Sequence, residues 1–365
     1  MSLVFDSVWV EPKTEGVKRI DKEKHISMPT KIEEKCIIPS EGVNKEKHIS
    51  YEDNDIDPIL KPSNNKLIIM DDPKSQHRDI YNLFMQHHQS EWFENEEKGW
   101  NVDLKHFKEG SSTERRIISH ILAFFAPSDG MVLDNLCVNL MRKIQIPESR
   151  MFFAVQMKME VVHALVYNLA LSILIEDETE RDRLRNSIDT IPVVKKKAEW
   201  TNKWIYDPNV TTDEQLVAFA VMEGLFFSSS FAFIYWLKRR NRYPTISKFN
   251  EWIARDEGLH TQHGAVLHKK ITKQKMPSAK IRELMIEATA LEREFVRFIL
   301  DESLPGMNAT DMCHYVEYVA DRLMLLLGET TKIYNTTNPF PWMDAIGLKG
   351  KSNFHEHKAT EYVTN

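Results

Sequence analysis

Six side chains at a repeated spacing are the residues of this sequence best suited to chemistry. Two are acids that stand alone in long apolar segments, and each is followed, after 31 and 34 residues, by an acid and a histidine at positions i and i+3. They are Asp129 followed by Glu160 and His163, and Glu223 followed by Glu257 and His260. A carboxylate buried without a partner costs on the order of several kcal/mol, so these acids require cations, hydrogen-bond donors or protons.

These residue types predict a site for two metal ions. Residues three apart lie on the same face of a helix, so each pair of acid and histidine points in one direction. Four carboxylates and two imidazoles that face the axis of a helical bundle are the ligand set of a di-metal carboxylate site, here with an aspartate in place of one glutamate. Carboxylates suit hard ions, and imidazole suits iron or manganese. Buried salt bridges are the competing interpretation, which is disfavoured because no Arg or Lys shares the inner faces of these segments.

The elements that must position these groups are predicted to be helices of a single all-α bundle. From about Lys66 onward apolar residues recur at spacings of three and four, the chain contains only 12 glycines, and strand alternation is weak. Prolines divide this region into several long helices. These breaks fall near Pro147, Pro192, Pro244, Pro277, Pro305 and Pro339. We expect residues 1–65 to form a polar, disordered extension, 66–350 the helical domain and 351–365 a short flexible tail.

Composition narrows the class of protein further. A chain of 365 residues with 42% hydrophobic residues can bury a large core. The formal charge of −6 leaves no basic surplus, so we expect neither a nucleic-acid nor a membrane partner. Three widely spaced cysteines and no signal-like start predict a reduced, cytoplasmic protein. The segment from Gln215 to Leu237 is long enough to span a bilayer, but its flanks lack an anchoring pattern and we interpret it as a buried core helix.

Several sequence strings around the six residues match the pattern of a known family. They are Leu-Ala-Phe-Phe-Ala-Pro-Ser-Asp-Gly around Asp129, Met-Glu-Val-Val-His before Tyr167, Val-Met-Glu-Gly-Leu-Phe-Phe-Ser-Ser-Ser-Phe around Glu223, and Ala-Arg-Asp-Glu-Gly-Leu-His at the second acid and histidine pair. Through them the chain, from about residue 66 to residue 362, resembles the small subunit of class I ribonucleotide reductases of the eukaryotic and large-DNA-virus type.

This resemblance implies a ferritin-like helical bundle with two iron ions per chain in its core, manganese being an alternative metal. One ion would be held by Asp129, Glu160 and His163 and the other by Glu223, Glu257 and His260, with Glu160 and Glu257 reaching across. The centre would react with O2 and take an electron and a proton from Tyr167, which would become a tyrosyl radical. The apolar wall around that tyrosine would include Phe227, Phe231 and Ile253.

The same resemblance implies a route by which the radical leaves the chain. The route would run from His163 through Asp256 and Trp92, and Tyr362 would be the relay near the C-terminus. Its destination would be a cysteine of a separate large subunit, which reduces ribonucleotides to deoxyribonucleotides. A homodimer is also expected from the family.

Some positions depart from the family pattern and leave alternatives open. Pro127 stands where a small residue other than proline is usual, and Ala164-Leu165-Val166 replaces a more polar triplet. Only three residues follow Tyr362, whereas the family continues well past the relay tyrosine, so the mode of large-subunit binding is open. Two other functions remain alternatives: a ferritin-like di-metal oxidase that acts alone, and a structural homologue that is inactive as a radical generator.

Overall fold

The computed structural model describes residues 56–64 and 74–343. The described residues form thirteen α-helices, two π-helical turns and two short 3-10 turns, with no strand and one isolated bridge between Leu304 and Met307. The predicted all-α class is therefore confirmed. The predicted tail 351–365, and all of the predicted extension except 56–64, lie outside the described residues.

The elements follow one another along the chain. The 3-10 turns are Pro58–Leu60 and Pro62–Asn64, and the helices are α1 (Arg78–Gln89), α2 (Trp100–Glu109), α3 (Ser112–Asn135), π1 (Leu136–Leu140), α4 (Met141–Lys143), α5 (Pro147–Leu174), α6 (Glu178–Arg185), α7 (Ser187–Thr190), α8 (Pro192–Tyr206), α9 (Thr212–Val221), π2 (Met222–Phe226), α10 (Ser228–Arg239), α11 (Pro244–Lys270), α12 (Ser278–Ile299) and α13 (Ala309–Leu326).

Prolines start the helices where the sequence predicted breaks. Pro147, Pro192 and Pro244 are the first residues of α5, α8 and α11. Proline suits this position because its missing N–H would have no partner inside the helix and its fixed φ fits the first turn. Pro277 immediately precedes α12, and Pro305 lies between α12 and α13.

Pro127 is the exception, because α3 continues through it. Proline in a helix interior removes the hydrogen bond to the carbonyl four residues earlier. That carbonyl belongs to Ala123, and the hydroxyl of Ser187 donates to it instead at 2.6 Å. Ser187 begins the short helix α7, so a neighbouring element supplies the donor that Pro127 lacks.

The long apolar helices form the interior of the bundle. Three segments are long and apolar enough to cross a membrane by length and composition: Ser112–Lys143, Pro147–Leu174 and Thr212–Arg239. In the last of these, every residue of the most apolar stretch is buried within the protein. This burial agrees with the interpretation of Gln215 to Leu237 as a core helix.

Candidate metal centre

Four elements bring the six predicted ligands together in the core. Asp129 comes from α3, Glu160 and His163 from α5, Glu223 from π2, and Glu257 and His260 from α11. None of the six side chains belongs to a residue that is more than 1% exposed. The i, i+3 spacing on α5 and α11 directs the acid and the histidine of each helix to the same face.

The ligand atoms form two groups that share one carboxylate. Asp129, Glu160 and His163 offer atoms that lie within 4.8 Å of one another, and a second group meets the same limit. The second group consists of Glu160, Glu223, Glu257 and His260. Glu257 also lies between the two histidines, with Oε1 3.1 Å from Nδ1 of His163 and Oε2 3.0 Å from Nδ1 of His260. Glu160 and Glu257 are therefore the carboxylates able to bridge two ions.

Unsatisfied polar atoms show that this donor set fits metal ions. Five ligand atoms are buried without an aligned hydrogen-bond partner, although the last two lie 3.1 Å apart: Asp129 Oδ2, Glu160 Oε2, Glu223 Oε2, Glu257 Oε1 and His163 Nδ1. Buried polar atoms are otherwise almost always paired. Within the described residues, the ion pairs of these carboxylates involve only histidines, and no Lys or Arg neutralises them. Hard oxygen donors and two imidazoles around a common centre are the coordination that iron and manganese accept.

The electrostatics of the cluster also favour binding of cations. Burial raises the pKa of Asp129 and of Glu223 well above their usual values, and neighbouring carboxylates raise both further. Burial alone lowers the pKa of His163 and His260, but hydrogen bonds and charges from the surrounding acids raise both pKa values well above the usual range. The surrounding acids therefore favour positive charge in the cluster, which bound metal ions would supply.

Gln156 orients two of the carboxylates from the same helical stripe as Glu160. Its Nε2 donates to Glu160 Oε1 at 3.2 Å and lies 3.3 Å from Glu223 Oε1. The second oxygen of each carboxylate, Oε2, has no hydrogen-bond partner among the described residues.

Tyr167 lies one helical turn beyond His163 on α5 and is 4% exposed. Its ring is stacked on that of Phe125, with centroids 4.5 Å apart and an interplanar angle of 7°. The phenol oxygen is buried without a hydrogen-bond partner among the described residues. Burial raises the pKa of Tyr167 well above its usual value, and the charges of Asp129 and Glu257 add to this effect. The phenol therefore keeps its proton.

Of the three apolar residues predicted to surround Tyr167, one shares a cavity with it and two contact the neighbouring ring of Phe125. Ile253 lines the same small cavity as Tyr167, together with aliphatic side chains of α3, α5 and α10. Phe227 and Phe231 contact Phe125, at centroid distances of 5.4 and 5.2 Å. Phe125 itself is the ring against the tyrosine, and sequence reasoning missed it because one more phenylalanine in an apolar helix carries no distinguishing signal.

Asp256 connects His163 with Trp92. The indole Nε1 of Trp92 donates to Asp256 Oδ2 at 2.8 Å, and the same oxygen lies 3.3 Å from Nε2 of His163. The rings of Trp92 and His163 are also stacked, with centroids 5.7 Å apart. Burial raises the pKa of Asp256, but hydrogen bonding to His163 and the charges of His87 and Arg255 bring it below its usual value. The carboxylate is thus charged, and Tyr362 lies outside the described residues.

His87 is a second residue near the cluster that sequence reasoning missed. It is fully buried on α1, and its Nε2 lies 3.0 Å from Nε2 of His260. The available signal was helical periodicity, because Ile80, Phe84 and His87 follow one another at i, i+4 and i+7 on the buried face of α1. A histidine at the third position of such a stripe faces the core.

Comparisons with known proteins agree with this architecture. Residues 73–339 match the profile of the family described as "Ribonucleotide reductase, small chain". The chain is 41% identical over 306 residues to ribonucleoside-diphosphate reductase subunit M2 of Homo sapiens, covering 84% of this chain and 77% of that protein. It is 41% identical over 308 residues to the small chain of Vaccinia virus (strain Ankara), covering 84% and 94%. The Rnr4 homodimer of Saccharomyces cerevisiae matches with a TM-score of 0.68 and 28% identity, over 80% of this chain and 90% of that one. The predicted ferritin-like fold is confirmed by this neighbour.

Proposed function

Because this chain belongs to the ribonucleotide reductase small-chain family and is the small subunit of a ribonucleoside-diphosphate reductase, we propose that its buried cluster binds two iron ions and that Tyr167 carries the radical. The observation that carries this proposal is the pair of ligand groups that share Glu160 and contain buried carboxylate oxygens without hydrogen-bond partners. Glu160 lies on α5, the helix that also carries Tyr167. Manganese fits the same donor set and is the alternative metal.

The six predicted ligands divide into two sets by their grouping. Asp129, Glu160 and His163 would hold one ion, and Glu223, Glu257 and His260 the other, with Glu160 and Glu257 between them. When bound, the ions supply, with O2, an oxidant for the nearby phenol. Oxidation of Tyr167 removes one electron and one proton and leaves a neutral phenoxyl radical. Because its pKa is raised, Tyr167 is protonated before oxidation, so its proton is lost in forming the neutral radical.

The surroundings of Tyr167 would preserve this radical. Phe125 covers one face of the phenol ring, Ile253 lines the cavity beside it, and Phe227 and Phe231 pack behind Phe125. An apolar enclosure excludes water and small reductants, which would otherwise quench a phenoxyl radical. The phenol oxygen donates to no neighbouring described group, so no adjacent base takes its proton at rest.

The radical would leave through the hydrogen-bonded residues beside His163. Asp256 accepts from Trp92 and contacts His163, so these three side chains form a continuous path from the ligand cluster. Tyr362 would continue it toward a large subunit, where ribonucleotides would be reduced to deoxyribonucleotides. We further propose a homodimer, as named for the yeast relative, in the cytoplasm and without nucleic-acid or membrane partners.

Low-temperature electron paramagnetic resonance tests the assignment of Tyr167. Metal-free protein is loaded with Fe(II) under anaerobic conditions and exposed to air, and iron is quantified in the same sample. We expect a tyrosyl signal in the wild type and its loss in Tyr167→Phe at unchanged iron content. Tyr235→Phe, which alters another fully buried tyrosine on α10, is the matched control and should keep the signal. An unchanged signal in Tyr167→Phe would refute the assignment.

A further inference from the structure

His87 is a buried histidine outside the six predicted ligands that contacts one of them. Its Nε2 lies 3.0 Å from Nε2 of His260, and the two ring centroids are 4.9 Å apart at an interplanar angle of 66°. Two neutral imidazole nitrogens at this distance share one proton, so one ring donates and the other accepts. The direction of this hydrogen bond depends on what the other nitrogen of His260 binds.

That other nitrogen, Nδ1 of His260, faces the metal cluster. It lies 3.0 Å from Glu257 Oε2, 3.1 Å from Glu160 Oε1 and 3.6 Å from Glu223 Oε2. A metal ion bound by Nδ1 requires this nitrogen to be unprotonated, so the single proton of neutral His260 lies on Nε2. His87 Nε2 must then accept that proton in a hydrogen bond.

The tautomer of His87 follows from this hydrogen bond. An imidazole that accepts a hydrogen bond on one ring nitrogen is unprotonated there and carries its proton on the other. With Nε2 as acceptor, the proton of His87 is on Nδ1. This nitrogen lies 4.0 Å from Oδ1 of Asp256 and has no closer hydrogen-bond partner among the described residues.

Asp256 is thereby next to both histidine ligands. It contacts His163 directly, with Oδ2 3.3 Å from Nε2, and it faces His260 through the intervening ring of His87. Arg255 holds the Oδ1 side of the same carboxylate, with a guanidinium nitrogen at 2.9 Å. The carboxylate of Asp256 thus lies near the imidazoles of both metal positions.

We propose that His87 is a positioning residue that accepts the hydrogen bond from Nε2 of His260, holds the ring of that ligand in its orientation, and lies between it and the carboxylate of Asp256. This inference rests on the proposed di-metal function and deepens it. Outer hydrogen-bond partners of metal-bound histidines typically change metal affinity by about 10- to 100-fold when they are removed. The ion bound by His260 should therefore depend on His87 more than the ion bound by His163 does.

Binding of Mn(II) alone to the metal-free protein tests the proposal. In His87→Phe, which keeps a ring but removes the acceptor, we expect one of the two ions to bind about 10- to 100-fold more weakly. His87→Gln supplies one amide acceptor and one amide donor, and it should recover most of the lost affinity. His88→Phe is the matched control, because His88 is an exposed neighbour on α1 that pairs with Glu91. It should bind both ions as the wild type does.

The outcomes separate this inference from the function on which it rests. A wild type that binds fewer than two Mn(II) ions would overturn the di-metal site and the role of His87 with it. Two ions bound with equal strength in the wild type and His87→Phe would overturn the role of His87 alone.

A second measurement does not depend on any variant. In wild-type protein loaded with Zn(II), nitrogen NMR of labelled histidines should show His87 protonated on Nδ1 and unprotonated on Nε2, the nitrogen that lies 3.0 Å from His260. A proton on Nε2 of His87 would overturn the proposal even if His87→Phe failed to fold.

Discussion

Two buried clusters of charged residues both include atoms of the π2 turn, but they differ in how far their polar atoms are paired within the protein. Glu223, in π2, belongs to the carboxylate cluster, in which four oxygens are buried without a hydrogen-bond partner. The carbonyl of Phe226, at the end of π2, accepts from the ammonium of Lys197 at 2.9 Å, and Lys197 also pairs with Glu292 at 2.7 Å. Lys197 is 1% exposed and Glu292 is fully buried.

Every charge of the second cluster has a partner within the protein. The second oxygen of Glu292 accepts from the hydroxyl of Ser229. The ammonium of Lys197 lies 3.4 Å from the ring centroid of Phe124 and 4.3 Å from that of Phe295, in the range of cation–π interactions. The comparison shows that buried charge alone does not indicate a functional site. What distinguishes the metal cluster is that four of its carboxylate oxygens are buried without a hydrogen-bond partner and that no Lys or Arg of the described residues pairs with them.

The largest effect predicted from this comparison follows loss of Lys197. Lys197→Met leaves Glu292 buried without its cation and Phe226 without its donor, and it should destabilise the metal-free protein by about 3–5 kcal/mol. Urea unfolding measures this change. Lys196→Met is the matched control, because Lys196 pairs with Glu294 on the surface, where an ion pair contributes about 0–1 kcal/mol.

The double variant Lys197→Met/Glu292→Leu sharpens the same test. It removes both charges, so it should recover most of the stability lost in the single variant. If Lys197→Met unfolded at the same urea concentration as Lys196→Met, the second cluster would not be the self-contained ion pair described here.

The metal cluster should respond to added ions by a slightly smaller amount per ion. At about 100 times its dissociation constant, each bound Fe(II) or Mn(II) ion should stabilise the wild type by about 2.7 kcal/mol, because the ions bind only the folded cluster. Glu160→Gln should lose most of this effect, since Glu160 belongs to both ligand groups. Thermal unfolding under anaerobic conditions, with and without metal, measures it.

The second cluster supplies the control for the metal effect. Lys197→Met/Glu292→Leu leaves all six predicted ligands in place, so it should keep the metal-dependent stabilisation. An equal stabilisation of wild type and Glu160→Gln would show that the ions act elsewhere.

Sequence predicted the metal cluster far better than the ion pair, for a physical reason. The ligands repeat at helical spacing and stand alone in apolar segments, so their burial follows from local periodicity. Lys197 lies in a run of three lysines that resembles a solvated face, although its spacing from Val193 places it on the buried side of α8. Its partner Glu292 lies on α12, and only the packing of α8 against α12 brings the two together.

Other features had no local signal at all. The π-helical turn that carries Glu223 lies between α9 and α10 and interrupts a segment whose composition predicts an ordinary helix. The role of Phe125 depends on a ring contact across two helices, α3 and α5. Such features depend on contacts between residues that are distant in sequence, which periodicity does not specify.

The carbonyl of Ala123, which receives no helix hydrogen bond from Pro127, tests whether an uncharged buried group also needs a partner. Ser187→Ala should cost about 1–3 kcal/mol, because it leaves the carbonyl of Ala123 buried without a donor. In a Pro127→Ala background the helix N–H of residue 127 is restored, and the cost should fall. A double-mutant cycle by urea unfolding measures the coupling, expected to be about 1 kcal/mol. If Ser187→Ala cost the same in both backgrounds, the hydroxyl of Ser187 would not be compensating for the N–H that Pro127 lacks.

The smallest predicted effect concerns the pH dependence of the internal ion pair. Burial lowers the pKa of Lys197 to about 8 and raises the pKa of Glu292, so for both groups burial outweighs their mutual attraction. As pH rises above about 4.5, the unfolded chain loses the Glu292 proton before the folded protein does, and stability falls. As pH rises above about 8, the folded protein loses the Lys197 proton before the unfolded chain does, and stability rises.

The stability of wild type relative to Lys197→Met/Glu292→Leu should therefore pass through a minimum near neutral pH. Between about pH 7.5 and 9 it should recover by about 1 kcal/mol, given 1.36 kcal/mol per pKa unit. Urea unfolding of both metal-free proteins at these pH values measures the difference, in which groups outside the pair cancel. If this relative stability fell further over the interval, the charged pair of Lys197 and Glu292 would be stabilising the fold rather than destabilising it.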